Sequence, residues 1–396
     1  MKILVIGSGG REHALAWRLA LEGHQIFCAP GNPGTAQIAT NIATTDYLSI
    51  PSDLIVVGPE APLVAGVVDQ FRAQGRAIVG PTEEAARLEA SKIHSKEFMG
   101  RIGIPTARFV RVETTNEGLA ALEQFEYPIV VKADGLAAGK GVIIAQDRHE
   151  AEAAVAALGP RLVIEEFLQG EEVSFIVLSD GRNVVPLEPT QDHKAVGDGD
   201  AGANTGGMGA YCDGRILHPS DTGKILDTVI QPAIRATGFT GFLYAGLMMT
   251  ETGPKVLEFN VRLGDPETQA LMHRIDDDFA GTLARAAGGQ LSSGKLKWKR
   301  EPSVCVVAAA EGYPGKVRTG DPITINDTPA QVFHAGTRIG PRGLETSGGR
   351  VLGVTASGPD LASAIANAYA GVEKIHFEGM HYRHDIGSKG LKRWYN

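Results

Sequence analysis

The sequence predicts a multidomain α/β and α+β protein with three units in a row. Three observations carry this. Residues 1–95 alternate apolar strands with helices, and each strand runs into a glycine turn. A strand, a glycine-rich loop bearing a lysine, and a second strand occupy 128–144. From about 301 onward the pattern changes to short strands and one helix with an apolar stripe. The expected boundaries are 1–95, 96–300 and 301–396, with a lid over about 105–178 inside the second unit.

In the first unit Ile3–Ile6 is a buried strand, Gly7-Ser8-Gly9-Gly10 a turn, and Arg11–Glu22 an amphipathic helix. Leu54–Val57 followed by Gly58-Pro59-Glu60, and Ala77–Val79 followed by Gly80-Pro81, repeat the form. This order implies an open parallel sheet, which takes ligands at the carboxyl ends of its strands. The first turn departs from a dinucleotide fingerprint, because Glu12 stands where the third glycine belongs. A carboxylate at a helix N-terminus repels a pyrophosphate. Two readings stay open: a smaller ligand on the Gly9 and Gly10 amides touched by Arg11 or Glu12, and a purely structural turn.

The second unit opens with a helix expected over Glu83–Arg101, carrying Lys92 and Lys96, and a new start at Ile104-Pro105-Thr106. Lys132 closes the next strand, and Gly135, Gly139 and Gly141 surround Lys140. Free backbone N–H groups and two ammonium groups suit a polyphosphate. Only three residues separate Gly135 from Gly139, and the β-branched Val142–Ile144 follows, so this is not a Walker A loop. Any magnesium ligands must then come from elsewhere. An ordinary glycine-rich hairpin is the alternative.

A helix is expected over His149–Ala157, then a strand from Arg161 to Ile164 that ends in Glu165-Glu166. Glu171-Glu172 starts a strand over Val173–Leu178. The glycine-rich stretch from Asp192 to Gly209 is too long for mere punctuation, and its Asp192, His193, Lys194 and Asn204 suggest a functional loop. Leu243–Thr250 and Pro254–Val261 form a hairpin. Period-two alternation puts Leu257, Phe259 and Val261 on one face and Glu258, Asn260 and Arg262 on the other. A carboxylate, an amide oxygen and a guanidinium in a row suit magnesium and phosphate together. A solvated strand face is the plain alternative, weakened by Asp265 and Glu267 directly after. In the last unit the strands are Val304–Ala310, Ile323–Ile325, Gln331–Phe333 and Val351–Thr355, with a helix over Asp360–Lys374. It is expected as a small α+β domain closing over the others, and no chemistry is assigned to it.

Composition narrows the function. The 396 residues carry a formal net charge of −8 and no basic run, which argues against nucleic-acid binding. Cys28, Cys212 and Cys305 lie far apart without a CxxC pair, so reduced thiols in a cytoplasmic protein are expected. The strand that starts at once from Met1 leaves no room for a signal peptide, and no apolar run reaches membrane-spanning length. Repeats and low-complexity tracts are absent.

Taken together, Gly7–Ala14 (GSGGREHA), Gly58–Gly66 (GPEAPLVAG), Lys132–Val142 (KADGLAAGKGV), Val163–Glu172 (VIEEFLQGEE), Gln191–Lys194 (QDHK), Asn204–Tyr211 (NTGGMGAY), Leu243–Met248 (LYAGLM), Glu258–Glu267 (EFNVRLGDPE) and Tyr313–Asp321 (YPGKVRTGD) resemble the ATP-grasp ligases. Within them the chain is most similar to the glycinamide ribonucleotide synthetase family of de novo purine synthesis, over nearly its whole length. It departs by being short between Ile38 and Asp53, where a helix usual in the family is missing or cut down, and between Ala154 and Arg161. Trimmed loops, as in some heat-adapted proteins, or residues missing from the sequence account for this. Tyr382–Gly387 fits the family in outline.

The resemblance implies a pre-ATP-grasp domain, an ATP-grasp domain with its lid, and a C-terminal domain. It implies an ADP-forming union of glycine with 5-phosphoribosylamine through glycyl phosphate. Lys96, Lys132 and Lys140 would contact ATP phosphates, with Gly135 and Gly139 in the covering loop. Glu165, Glu166, Phe167 and Leu168 would form the hinge beside adenine, and Glu172 would accept from the ribose. Glu258 and Asn260 would hold magnesium or manganese. Lys140, Arg262 and Asp192 would be the catalytic groups, Arg262 lying near the transferred phosphoryl or the glycine carboxylate. Asp192, Asn204, Gly206, Gly207, Asp265 and Glu267 would line the acceptor side, and Gly9, Gly10, Arg11 and Glu60 would hold phosphoribosylamine. The expected partners are glycine, phosphoribosylamine and ATP, with neither nucleic acid nor membrane. A monomer is expected, with transient contact to the preceding pathway enzyme. Competing readings are an ATP-grasp ligase for another acid or amine, a nucleotide-binding regulatory module, and an NAD-dependent reductase, the last disfavoured by Glu12.

Overall fold

A computed structural model describes residues 1–136, 141–292 and 294–395. Its N-terminal sheet has five parallel strands in the order β3-β2-β1-β4-β5. They are β1 (Lys2–Gly7), β2 (Gln25–Pro30), β3 (Thr40–Asn41), β4 (Leu54–Val57) and β5 (Ile78–Val79). Ile3, Val5, Leu54 and Val56 pack on the side of helix α1 (Gly10–Leu21). Leu4, Ile6, Ile55 and Val57 pack on the opposite side with residues of α2 (Glu60–Val64), α3 (Val67–Ala73), α4 (Glu83–Ala90) and α5 (Lys92–Ile102). Burial on both faces is why these strands are unbroken apolar runs rather than alternating ones. The chain leaves β1 toward β2 on one side and returns to β4 on the other, so the crevice between the ends of β1 and β4 is a topological switch point. Only 3-10 turns and the two-residue β3 fill the stretch between β2 and β4.

The helix expected over Glu83–Arg101 is two helices. Ser91 between them is extended (φ −139°, ψ 119°), and its Oγ accepts the His94 N–H at 3.1 Å as the N-cap of α5. A serine that can cap a new helix interrupts an otherwise continuous pattern without any proline.

A second, separate core (Val112, Ile129, Val131, Val155, Ile164) belongs to the lid. Its antiparallel sheet runs β6 (Phe109–Val112), β9 (Leu162–Glu166), β7 (Ile129–Ala133), β8 (Val142–Ala145), flanked by α6 (Thr115–Ala121) and α7 (Arg148–Leu158). The next strand, β10 (Glu171–Asp180), pairs along its length with β16 in the large sheet. The lid sheet therefore ends at Glu166, short of the expected 178.

The large sheet follows with β11 (Val184–Pro186), β12 (Thr190–Asp192), β15 (Gly209–Cys212), β16 (Thr240–Thr250) and β17 (Gly253–Asn260). A two-stranded hairpin, β13 (Ala195–Gly197) and β14 (Ala201–Asn204), stands out from it. Helix α8 (Pro219–Ile225) passes through a π-turn into α9 (Gln231–Thr237), and α10 (Glu267–Arg274) and α11 (Phe279–Ala287) follow β17. The longer strands of the last stretch join this sheet. β18 (Ser303–Ala309) pairs with β15, and β23 (Arg350–Ser357) and β20 (Gln331–His334) continue outward. Short pairs, β19 (Thr324–Ile325) with β24 (Ile375–His376) and β21 (Thr337–Gly340) with β22 (Gly343–Thr346), and helices α12 (Leu361–Val372) and α13 (Ser388–Tyr395) complete it. No helix among the described residues is long and apolar enough to cross a membrane.

Candidate active site

One cavity of about 540 Å³ lies where the switch point, the lid, the end of β17 and the C-terminal strands meet. Most of the expected site residues line it: Arg11, Glu60, Lys96, Lys132, Gly135, Glu165 to Leu168, Glu172, Asp192, Asn204, Gly206, Glu258, Asn260, Arg262, Asp265 and Glu267. Gly9, Gly10 and Gly207 do not. Gly139 and Lys140 lie outside the described residues.

On the lid side the Glu165 side chain, almost fully buried, sits between two lysines. Lys96 Nζ is 2.9 Å and Lys132 Nζ 3.0 Å from its carboxylate. Lys96 also donates to Thr106 Oγ1 at 2.6 Å, and Lys132 to the Leu257 carbonyl at 3.1 Å. Burial, aided by Lys132 and opposed by Glu165, lowers the Lys96 pKa to about 8. Glu165 is thus the countercharge of two lysines. Glu166 instead accepts the Arg108 N–H at 2.9 Å and pairs with Lys255 at 3.3 Å, bracing the end of β9.

A β-bulge shapes the part of β17 that faces the cavity. Gly246 pairs with Glu258 but Leu247 pairs with Val256, so Leu257 is an extra residue. The expected alternation breaks there. Val256 turns into the core, while Leu257 joins Glu258 and Asn260 in the cavity wall. Leu257 packs with Leu168 and Met248, an apolar slot directly beyond the end of β9.

Beyond the slot the wall is charged. Burial works against the Glu258 carboxylate, but Lys194, Lys132 and Lys92 outweigh it and hold its pKa below the ordinary value. Lys194 Nζ lies 3.7 Å from Glu258 and 3.1 Å from Glu172. Asn260 Oδ1 accepts from Arg262 at 3.1 Å, and Arg262 pairs with Glu89 at 2.7 Å and Glu60 at 3.4 Å. Those acids overcome the cost of burial and keep the guanidinium charged.

At the switch point Glu12 turns back on its own helix. It accepts the Gly9 N–H at 2.5 Å and Arg11 Nε at 2.6 Å. A Cβ on Gly58 would lie 2.0 Å from the Glu12 carboxylate, which is why glycine ends that strand. Arg11 donates on to the Leu263 carbonyl at 2.9 Å. The Gly9 amide is therefore satisfied within the turn. Opposite, Asp192 faces Glu267, and burial together with Glu267 raises the Asp192 pKa well above the ordinary carboxylate range. Glu267 itself accepts from Ser174 at 3.2 Å. Gly207 is drawn so close to Asp192 and Pro266 (φ 112°) that a side chain would collide with both.

The chain matches three family descriptions in sequence: "Phosphoribosylglycinamide synthetase, N domain" over residues 1–89, "ATP-grasp (A) domain" over 90–268 and "C domain" over 303–389. The chain belongs to the phosphoribosylglycinamide synthetase family. Relatives named phosphoribosylamine–glycine ligase share 47% identity in Pseudomonas aeruginosa and 48% in Neisseria meningitidis, over 99% of this chain and 99% and 100% of theirs. Their alignments run over 424 and 425 positions against 396 residues here, so the relatives carry residues that this chain lacks. The crystal structure of phosphoribosylamine–glycine ligase from Thermotoga maritima superposes with a TM-score of 0.87 at 36% identity, covering 98% of this chain and 100% of that one.

In this phosphoribosylglycinamide synthetase family member the residues fit a divalent ion held jointly with phosphate. Glu258 is ionised and Asn260 offers an amide oxygen two residues on. Among the described residues no group of three or more His, Cys, Asp and Glu could enclose a metal. Two hard oxygen donors that leave the other positions to phosphate and water suit magnesium or manganese. Lys194, expected in a functional loop, lines the wall, and so do two residues to which the sequence assigns no role, Lys92 on its helix and Tyr313 inside a quoted motif. Lys92 Nζ donates to the Gly135 carbonyl at 2.7 Å, tying α5 to the glycine-rich loop. Glu89 and Arg350 carried no local signal. Arg350 bonds the carbonyls of Gly206 (2.6 Å) and Asp265 (2.5 Å), so the unit given no chemistry holds two site loops together.

Proposed function

We propose that this chain is an ATP-dependent ligase that joins glycine to 5-phosphoribosylamine, giving glycinamide ribonucleotide, ADP and phosphate. The observation that carries the reading is the single cavity in which a lysine-flanked apolar slot and an acid-lined chamber meet at Glu258, Asn260 and Arg262. ATP lies with its ring against Leu168, Met248 and Leu257, and its phosphates toward Lys132 and Lys96. Glu258 and Asn260 would hold a magnesium or manganese ion, which would supply charge neutralisation at the phosphates.

A glycine carboxylate oxygen attacks the γ-phosphorus, and the bond to the ADP oxygen breaks. Arg262, kept charged by Glu89 and Glu60, steadies the oxygens of the transferred group. The phosphoribosylamine nitrogen then attacks the carbonyl carbon of glycyl phosphate. Phosphate leaves with the former glycine oxygen and takes up the proton released from nitrogen. The chamber between Asp192, Glu267, Asn204 and Gly206 keeps water from the acyl phosphate. Three buried, unpaired thiols accord with a reducing, cytoplasmic setting. Coupled measurement of ADP tests the reading. Release is expected only with glycine, phosphoribosylamine and Mg-ATP all present, and equal release without the amine or without glycine would refute it.

A further inference from the structure

The hairpin β13–β14 is a strap with both feet in the cavity. Asp192 and Lys194 precede it, Asn204 ends it, Thr205 and Gly206 follow it, and all five line the wall. Thr205 closes the base, its N–H and its hydroxyl each donating to the Lys194 carbonyl at 2.8 Å. The tip, Asp198-Gly199-Asp200, projects away from the site, with Asp200 in the left-handed region (φ 60°).

That tip is fastened to the chain just before α13. Arg383, its side chain wholly buried, pairs with Asp200 at 3.0 Å and donates to the Ala195 carbonyl at 3.1 Å. It also forks onto both oxygens of Asp385 at 2.7 Å. Asp385 accepts the Gly199 N–H at 2.9 Å, Asp198 accepts the His384 N–H at 2.7 Å, and Lys389 pairs with Asp200 at 2.6 Å. Tyr369 of α12 in turn fixes this segment, donating to the Arg383 carbonyl at 2.8 Å and accepting the Ile386 N–H at 3.0 Å. A lone two-stranded hairpin is marginal in water, so the strap takes its position from these bonds. None of them touches the nucleotide slot.

We propose that Arg383 is a positioning residue that acts mainly on the acceptor half of the reaction: it holds the strap so that Asp192, Asn204 and Gly206 meet glycine and phosphoribosylamine. This rests on the ligase reading above. Small displacements of positioning groups cost rate steeply, so the effect falls on one pair of substrates.

The test compares wild type with R383Q, R383K and D200N. Asp200 is 46% exposed and asparagine tolerates the same backbone, so D200N serves if R383Q does not fold. In R383Q and D200N the KM for glycine or phosphoribosylamine should rise roughly tenfold or more, with that for Mg-ATP within about twofold. R383K, which keeps the charge but not the fork, should fall between. Hydrogen exchange should quicken in 195–204 and not in the lid. Quickened exchange with all KM values unchanged, or equal shifts for ATP and the acceptor pair, would overturn the inference. An inactive wild-type protein would instead overturn the ligase reading on which it rests.

Discussion

Lys132 and Glu165 are diagonal neighbours on paired strands of the lid, and their charged ends meet 3.0 Å apart with Lys96 closing on the same carboxylate from α5. One acid thus holds two cations from two parts of the chain at the cavity wall. A buried acid between two lysines leaves neither lysine unpaired.

Replacing that acid tests the arrangement. E165Q should lose about 3 kcal/mol of stability, because two buried ammonium groups lose their countercharge. Denaturant midpoints report the loss. Saturating Mg-ATP should then raise the midpoint of E165Q more than that of wild type, since the phosphates replace the missing charge. Equal shifts in both proteins would show that these lysines do not face the nucleotide.

The bulge at Leu257 gives a second expectation. L257A should raise the KM for ATP by roughly tenfold, the scale of losing most of a partly buried leucine. Because Glu258 keeps its place, kcat should change by less than about threefold. A collapse of kcat with KM unaltered would mean that Leu257 sets the register of Glu258 and not the ring slot.

Acid should loosen the joint between the first and last units. His13 of α1 accepts the His334 N–H at 2.8 Å, and burial lowers the pKa of His13 to about 3 and of His334 to about 4. Both folded values lie below the ordinary 6.5, so the unfolded chain binds more protons between them. Stability should therefore be intact above pH 6.5 and fall as pH drops toward 4, by about 1.4 kcal/mol per pH unit for each histidine. Because burial also lowers His193 and His273 to about 4, H334Q should flatten the slope over that window by about a quarter. An unchanged slope would assign the acid sensitivity to other groups.

The local elements were legible because each strand or helix carries its own period. The parallel strands around Leu54–Val57, the hairpin through Gly253 and the helix starting at Gly10 all needed only neighbouring residues. What escaped depended on distant partners. Gly209 pairs with Val306 across nearly a hundred residues, and nothing in either segment announces that the last strands extend the central sheet. Leu257 looks like any alternating strand residue until Gly246 and Leu247 fix its partners. Glu12 was legible as an obstacle to pyrophosphate, but its role as the cap beneath Gly58 needed the adjacent strand. Arg350 acts on two carbonyls from loops far away in sequence, and an arginine in an apolar strand gives no hint of that.

The most direct test of the mechanism follows oxygen. Glycine labelled with heavy oxygen in its carboxylate is turned over with phosphoribosylamine and Mg-ATP, and the released phosphate is analysed by mass spectrometry. Attack on the γ-phosphorus, with Arg262, Glu258 and Asn260 gathered around the transferred group, requires one labelled oxygen in each inorganic phosphate and ADP as the nucleotide product. Label in AMP, or unlabelled phosphate alongside the amide, would contradict the account.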